Sequence, residues 1–419
     1  MRVFHTLDPQ PRHNLLVLFA AGLLFWSSLA SLLPTLPLYV EHVGGTKQEI
    51  GLVIGCFAIG LLLFRPFLGN LADQHSRKIV LLIGMATVAI APLGYVGVQS
   101  IPLLMVIRAF HGISIAAFST GYSALVADLA PEKNRGEVIG YMSLVNPIGM
   151  AIGPALGGFL QVWAGYTPLF LLSSGLGIVG IFCTTQVSNP LHQPQQQNIS
   201  SRQFWRLLGT PRVRIPALVM LLIGLAFGTL STFVPLFIRE AGVDLNAGLF
   251  YTAAAITSFS VRLVTGRASD RYGRGLFITG SLILYSLAML TLWTAHDAVT
   301  FLVAGMIEGT GAGILIPMFA ALMADRSLPN ERGRMFGLCM TGFDFGIAIA
   351  GPILGSIAQQ VGYRSMFGFA TGLAFLAIVI FLTQSSKDLS HSLRFALGRG
   401  RDVYSLNQFS VDNYLKRQA

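Results

Sequence analysis

From Leu15 to Phe381 the chain alternates long apolar runs with short polar segments. At 1.5 Å rise per residue, about 20 apolar residues cross a hydrocarbon core of about 30 Å. The pattern predicts twelve helical spans, at 15–39, 50–69, 79–98, 101–125, 138–160, 167–187, 216–238, 247–266, 276–294, 298–323, 334–358 and 365–383. Arg2 and Arg12 precede the first run, as in a signal peptide. That run is too long for an excised leader and reads as a retained helix. Between the sixth and seventh spans NPLHQPQQQNISSRQFWRLLGTPRVR is polar, Gln-rich and basic, which predicts a cytoplasmic linker with a short interfacial helix around Phe204–Leu208. From Ser385 the tail is basic and has no clear periodicity, so no structure is assigned to it. The expected organisation is a helical bundle at 1–187, a linker at 188–215, a second bundle at 216–384 and a cytoplasmic tail at 385–419.

Composition supports an all-α, multi-pass membrane protein. Of 419 residues 53% are hydrophobic and 11% charged, against roughly a quarter charged in soluble domains. The net charge of +10 would suggest nucleic acid in a soluble protein. Here its placement follows topology instead, because Lys and Arg accumulate in cytoplasmic loops. With the N-terminus inside, Arg77, Lys78, Lys133, Arg135, Arg202, Arg212, Arg271, Arg274, Arg326, Arg332 and the tail arginines all fall inside. Lys47, Arg239 and Arg364 fall outside, and both termini are expected in the cytoplasm. Cys56, Cys183 and Cys339 all lie in apolar spans without metal-ligand spacing and read as packing residues.

The chain also repeats itself at a shift of 197 residues. RPFLGNLAD (65–73) falls on RLVTGRASD (262–270), HGISIAAF (111–118) on EGTGAGIL (308–315), and NRGEVIG (134–140) on ERGRMFG (331–337). With one extra residue GPALGG (153–158) falls on GPILGS (351–356). Two pseudo-symmetric six-helix bundles are therefore expected. Transporters are often built in this way, with the substrate site near the midplane where the repeats meet.

Four local patterns resemble the major facilitator superfamily. GNLADQHSRK (69–78), including Gly69, Asp73, Arg77 and Lys78, is similar to the family's G-x-L-A-D-x-x-G-R-K, with Ser76 where glycine is usual. GRASDRYGRG (266–275), with Gly266, Asp270 and Arg274, is its second copy. RAFHGISIAA (108–117) resembles the family's R-x-x-x-G, and LLPTLPLYV (32–40) its paired-proline motif in drug–proton antiporters. In the fifth span Gly140, Gly149, Gly153, Pro154, Gly157 and Gly158 match every position of the family's antiporter motif. Residues three and four apart share a helix face, so Gly149, Gly153 and Gly157 form a smooth strip that admits another backbone closely. The resemblance implies that this helix packs against a partner from the other half, and that export is favoured over uptake. It further implies a cytoplasmic gate. In it Asp73 sits at the start of the eleventh span and Arg77 pairs with Asp128 or Glu137. Arg135, Asp270, Arg274 and Asp325 are further gate residues.

An ionisable side chain inside a span costs about 2.5–3.5 kcal/mol on insertion scales, which makes it a functional candidate. Arg108, His111, Glu308 and Asp344 are such groups. Glu308 and His111 are repeat-related, and the resemblance, which puts the fourth and tenth spans on the central cavity, has them facing each other across it. Burial raises a carboxyl's pKa and a nearby cation lowers it, so a carboxyl moving between dry and wet surroundings binds and releases protons. Glu308 is the first candidate for proton coupling and Asp344 the second. Arg108 is a counter-charge, and His111 a proton carrier near neutral pH. Each has a second reading: a cationic cargo at Glu308, an interhelical bond at Asp344, an anionic cargo at Arg108, and plain packing at His111. Trp26, Phe118, Phe227, Phe233 and Phe319 are candidate cavity residues suited to a lipophilic cargo.

GTGAG (309–313) lies inside an apolar helix, not after a strand, and reads as helix packing. No phosphate-binding loop, metal cluster or nucleophile–base pair stands in the sequence, so neither an ATP-driven pump nor an enzyme is expected. The expectation is an inner-membrane monomer that exchanges a small organic molecule for protons, with the lipid bilayer, substrate and protons as its partners. It needs neither cofactor nor nucleic acid. Uptake of a sugar, organic anion or other metabolite by proton symport is the alternative.

Overall fold

A computed structural model describes residues 9–131, 135–188, 209–328 and 332–406, with the side chains of Arg135, Arg267 and Asp270 outside the description. The expected interfacial helix around Phe204–Leu208 lies outside the described residues. Every regular element among those described is an α-helix. In the first half these are α1 (Pro9–Ser31), α2 (Leu36–His42), α3 (Lys47–Gln74), α4 (Arg77–Tyr95), α5 (Ile101–Leu129), α6 (Arg135–Met142), α7 (Val145–Ala164) and α8 (Tyr166–Gln186). The second half has α9 (Pro211–Glu240), α10 (Ala247–Tyr272), α11 (Arg274–Thr294), α12 (Ala298–Asp325), α13 (Arg332–Gln384) and α14 (Leu389–Ala396). Counting α1 with α2 and α6 with α7, 11 of the described helical segments are long and apolar enough to cross a membrane.

Two of the expected spans are interrupted, and two run together. The first breaks between α1 and α2 at Leu32–Thr35, where Pro34 and Pro37 remove amide donors and i→i−3 bonds such as Leu33 to Ala30 (3.1 Å) tighten the turn. The fifth breaks at Ser143–Leu144, between α6 and α7. The eleventh and twelfth run together as the 53-residue α13, about 80 Å of helix if straight and more than twice a hydrocarbon core. Gly362 divides it, with φ 79° and ψ 167°, a conformation that glycine alone adopts readily.

The start of α4 accounts for the unusual Ser76. Its backbone is extended and its hydroxyl accepts the Ile79 N–H at 3.3 Å, capping the helix. In the second copy Gly273 reaches the start of α11 with φ 90° and no side-chain cap. The same loop is thus closed by a hydroxyl in one half and by a left-handed glycine in the other.

Packing divides the chain into two compact units that differ from the two sequence halves. The first unit joins the described residues up to 188 to 231–255 and 351–359; the second holds 209–230, 256–350 and 360–406. In the first, α3 and α4 pack on α5, and α1 packs on α7 and α8. Phe25, Met85, Phe118 and Tyr122 lie in the core. In the second, α11 packs on α12 and on α14. Residues 231–255 and 351–359 of α9, α10 and α13 belong to the first unit: α13 meets α3 and α10 meets α7 backbone to backbone, and α9 reaches α2 and α3 through side chains. A Cβ on Gly51 of α3 would strike the carbonyl of Gly351 in α13, and one on Gly351 would strike that of Gly51. Around this crossing Lys47 N–H donates to Gln359 Oε1 (3.0 Å), Lys47 pairs with Glu240 (2.6 Å) and Arg239 with Glu41 (3.0 Å).

The tail differs from expectation. It folds into α14 and a strap that runs to Leu406. Its anchor is Arg326, only 1% exposed at the end of α12. The guanidinium donates to both carboxylate oxygens of Asp402 (2.7 and 3.0 Å) and to the carbonyls of Arg212 (3.1 Å) and Ser385 (3.0 Å). A bidentate arginine–carboxylate pair is among the strongest polar contacts available. Contacts with residues far away in sequence order this segment.

Candidate functional site

The R-x-x-x-G spacing places Arg108 and Gly112 one turn apart on one face of α5. A Cβ on Gly112 would collide with the carbonyl of Phe57 in α3, so glycine lets the two helices touch there. One turn along, the Arg108 guanidinium lies 4.3 Å from the centre of the Phe57 ring, a cation–π contact. Arg108 Nη1 is 3.5 Å from His111 Nδ1, and the Tyr95 hydroxyl is 3.1 Å from the same nitrogen. A guanidinium can only donate, so Nδ1 accepts and Nε2 carries the ring proton. Arg108 and His111 are both buried, and Arg108 Nε and His111 Nε2 have no hydrogen-bond partner. No carboxylate pairs with Arg108 among the described residues.

The repeat-related position in α12 carries a similar set. Glu308 is 3% exposed, and the Tyr285 hydroxyl from α11 hydrogen-bonds its carboxyl. Glu308 Oε1 has no partner. Arg262 in α10 likewise has a buried Nε without a partner. Gly313 makes room for this arrangement, since its Cβ would stand 2.5 Å from the Ser258 carbonyl of α10. The GTGAG glycines thus pack helices. His111 and Glu308 are each engaged inside their own unit by a tyrosine from the preceding helix. Asp344, half-buried on α13, also has a bonding partner.

Sequence reasoning overlooked Tyr95, Tyr285 and Arg262. A tyrosine in an apolar span needs a partner for its hydroxyl, and Arg262 is an intramembrane arginine repeated from Arg65. Those two signals were available.

The aromatic candidates separate by burial. Phe118 stacks on Phe25 with centroids 3.8 Å apart, Phe319 lies edge-on to Phe381, and Phe233 is enclosed beside Gly355. All three are buried and present no surface to a cargo here. Trp26 and Phe227 keep part of their surface exposed. The Trp26 ring lies edge-on to Phe25 and Phe118, and Phe227 lies 5.6 Å from Phe343.

The glycine strip faces α1. Cβ atoms on Gly149, Gly153 and Gly157 would meet Trp26, Ser27 and Ser31. A second face of α7 meets α10: Gly158 touches Asn246, Pro154 touches Gly248, and Thr252 donates to the Ala151 carbonyl (2.8 Å). The motif therefore serves two interfaces, one inside its own half and one with the start of the eighth expected span. Gly140 has open space around it.

At the start of α4 Arg77 pairs with Asp128 and donates to the Ala124 carbonyl (3.2 Å), while Lys78 donates to the carbonyls of Thr185 and Val187. Asp73 and Glu137 are exposed, and Gly69 and Gly266 have open space around them. Arg274 pairs with Asp325 (3.4 Å) and donates to Ser269 Oγ (2.6 Å). The side chains of Arg135 and Asp270 lie outside the description.

A helical bundle of apolar spans with enclosed ionisable groups defines a multi-pass membrane transporter. The Major Facilitator Superfamily profile matches residues 18–278 and 246–414, and the chain belongs to that family. It is 26% identical over 354 residues to multidrug resistance protein 1 of Bacillus subtilis (strain 168), covering 84% of this chain and 90% of the relative. It is 25% identical over 370 residues to multidrug resistance protein MdtG of Serratia proteamaculans (strain 568), covering 85% and 90%. Among solved structures the nucleoside transporter NupG shares the fold, with a TM-score of 0.72, 17% identity and coverage of 88% and 99%.

Proposed function

We propose that this chain is an inner-membrane exporter, a monomer with twelve spans and both ends cytoplasmic, that exchanges a small organic molecule for protons. Its energy source is the proton gradient, and it uses no cofactor. The observation that carries the reading is Glu308, a carboxyl enclosed in α12 with one oxygen unpartnered and Tyr285 as a hydrogen-bond partner. A carboxyl enclosed in one state and wetted in another gains and loses a proton as the state changes. The names of the multidrug resistance relatives support export of drug-like cargo, as does the full glycine motif of α6 and α7. Asp344 is the second candidate for the coupling step. The outer crossing of Gly51 with Gly351 supports a seam that closes on the outside while cargo loads from within.

The test is a pH gradient in everted membrane vesicles challenged with a panel of lipophilic cations and anions. The expected result is that at least one cargo collapses the gradient with the native protein and none does with Glu308→Gln. A cargo response that survives Glu308→Gln intact removes that residue from the coupling step. A second reading, uptake by symport, is favoured by Arg108, whose buried guanidinium lacks an anion and suits an acidic cargo. Uptake into whole cells driven by an inward proton gradient would select it.

A further inference from the structure

The surface of α14 is apolar over more of its circumference than the protein covers. Ser392, Phe395 and Ala396 are buried against the second unit. The Thr279 hydroxyl donates to the Ala396 carbonyl at 2.9 Å, and Gly275 leaves room for the Phe395 backbone. Leu389, Leu393 and Leu397 recur every fourth residue and are all exposed. At 3.6 residues per turn they occupy an arc of about 80° that adjoins the buried arc. The helix thus lies in a crease, with one apolar side on protein and the next uncovered.

Two features say what covers it. The uncovered side continues an exposed apolar surface of the bundle: Gly398 rests on the Tyr272 carbonyl and the Leu276 side chain, and both those residues are exposed. Basic groups border it. Gly398, at φ 71°, ends the helix with its own N–H bonded to the Phe395 carbonyl (3.0 Å) and the Arg399 N–H bonded to the Arg394 carbonyl (2.8 Å). This double bond pattern folds the chain back at a helix end. It brings Arg399 and Arg401 round beside Arg394, and Gly400 rests on the Arg394 side chain. Lys387, Arg394, Arg399 and Arg401 are all exposed. A short helix with a leucine face and an arginine border suits the interface of an anionic leaflet.

We propose that α14 and the turn after it dock on the anionic lipid surface at the inner face of the membrane, the leucines entering the interface and the arginines binding headgroups. The same strap carries Asp402, so the lipid contact reaches Arg326 and the inner end of the helix that holds Glu308. Only the choice of leaflet rests on the cytoplasmic placement given above. Cargo, coupling and direction of transport do not enter.

The test uses the full-length protein in nanodiscs of phosphatidylcholine, with or without phosphatidylglycerol. Nitroxides are attached singly at Leu393→Cys, at Leu397→Cys and at His391→Cys on the far side of the helix. Background from the native cysteines is subtracted using the unsubstituted protein. Collision with oxygen is compared with collision with a water-soluble nickel chelate. Labels at 393 and 397 are expected to favour oxygen and the label at 391 the chelate. Phosphatidylglycerol is expected to strengthen docking, by about fivefold for each basic residue engaged. Arg394→Glu, Arg399→Glu and Arg401→Glu together should abolish that gain. Labels at 393 and 397 that behave like the one at 391 in both lipids overturn the proposal. Shielding from both reagents overturns it in favour of a protein partner or a second copy. An oxygen preference indifferent to phosphatidylglycerol overturns the headgroup assignment. Nanodiscs have no sidedness and no gradient, so a failed exchange assay and a failed docking assay are separate results.

Discussion

A glycine in a span is informative only through what stands opposite it. Gly157 and Gly140 belong to one motif, yet a Cβ at Gly157 would meet the Ser31 carbonyl, while a Cβ at Gly140 meets nothing within 4 Å. Gly157→Ala is therefore expected to destabilise the purified protein by about 1–3 kcal/mol through overpacking. Gly140→Ala should be neutral or stabilise by up to about 1 kcal/mol, because alanine is the better helix former. Thermal unfolding in detergent measures both, and equal losses would mean that the strip does not set the α1–α7 distance. The motif's letters were legible in the sequence, but the two different surfaces that they meet were not. Spacing fixes which residues share a face and leaves open which neighbour lies against it. The same holds for Arg108. Its spacing to Gly112 was plain, and the Phe57 ring beneath it depends on where α3 crosses.

At the scale of the element, α14 and its strap show why sequence reading stopped at Ser385. An eight-residue helix carries too few turns to announce itself by periodicity, and isolated helices of that length are unstable in water. What orders it is tertiary: Phe395 against Phe381, and Asp402 against Arg326. Removing one partner of an enclosed ion pair leaves the other charge stranded, so Asp402→Ala should cost about 3 kcal/mol. The loss should appear locally as faster amide exchange in α14 and faster proteolysis after Lys387. Unchanged exchange there would mean that the strap holds without the pair. The long apolar elements were legible for the opposite reason, since about twenty apolar residues in a row have few other uses. The interruptions at Leu32–Thr35 and Ser143–Leu144 shift no hydropathy average and were invisible to it, whereas the break at Gly362 falls in the gap expected between 358 and 365.

At the scale of the whole molecule, the offset of 197 residues puts His111 and Glu308 at equivalent positions of the repeat. It says nothing of the packing that assigns residues 231–255 and 351–359 of α9, α10 and α13 to the first unit. The ion pairs around that seam are exposed, and such pairs contribute at most about 1 kcal/mol each. The glycine crossing should therefore dominate. Lys47→Ala is expected to leave the alkylation rate of Gln359→Cys in intact cells nearly unchanged, and Gly351→Leu to raise it several-fold. A larger effect from Lys47→Ala would make the seam electrostatic. The crossing of Gly51 with Gly351 has one more consequence, for anyone reading relatives of this chain side by side. Paired substitutions reveal contacts because one side chain can compensate for another. Two backbones in direct touch have nothing to trade. One of the tightest joins between the halves would leave two invariant columns and no correlated change, silent to any method that infers proximity from covariation.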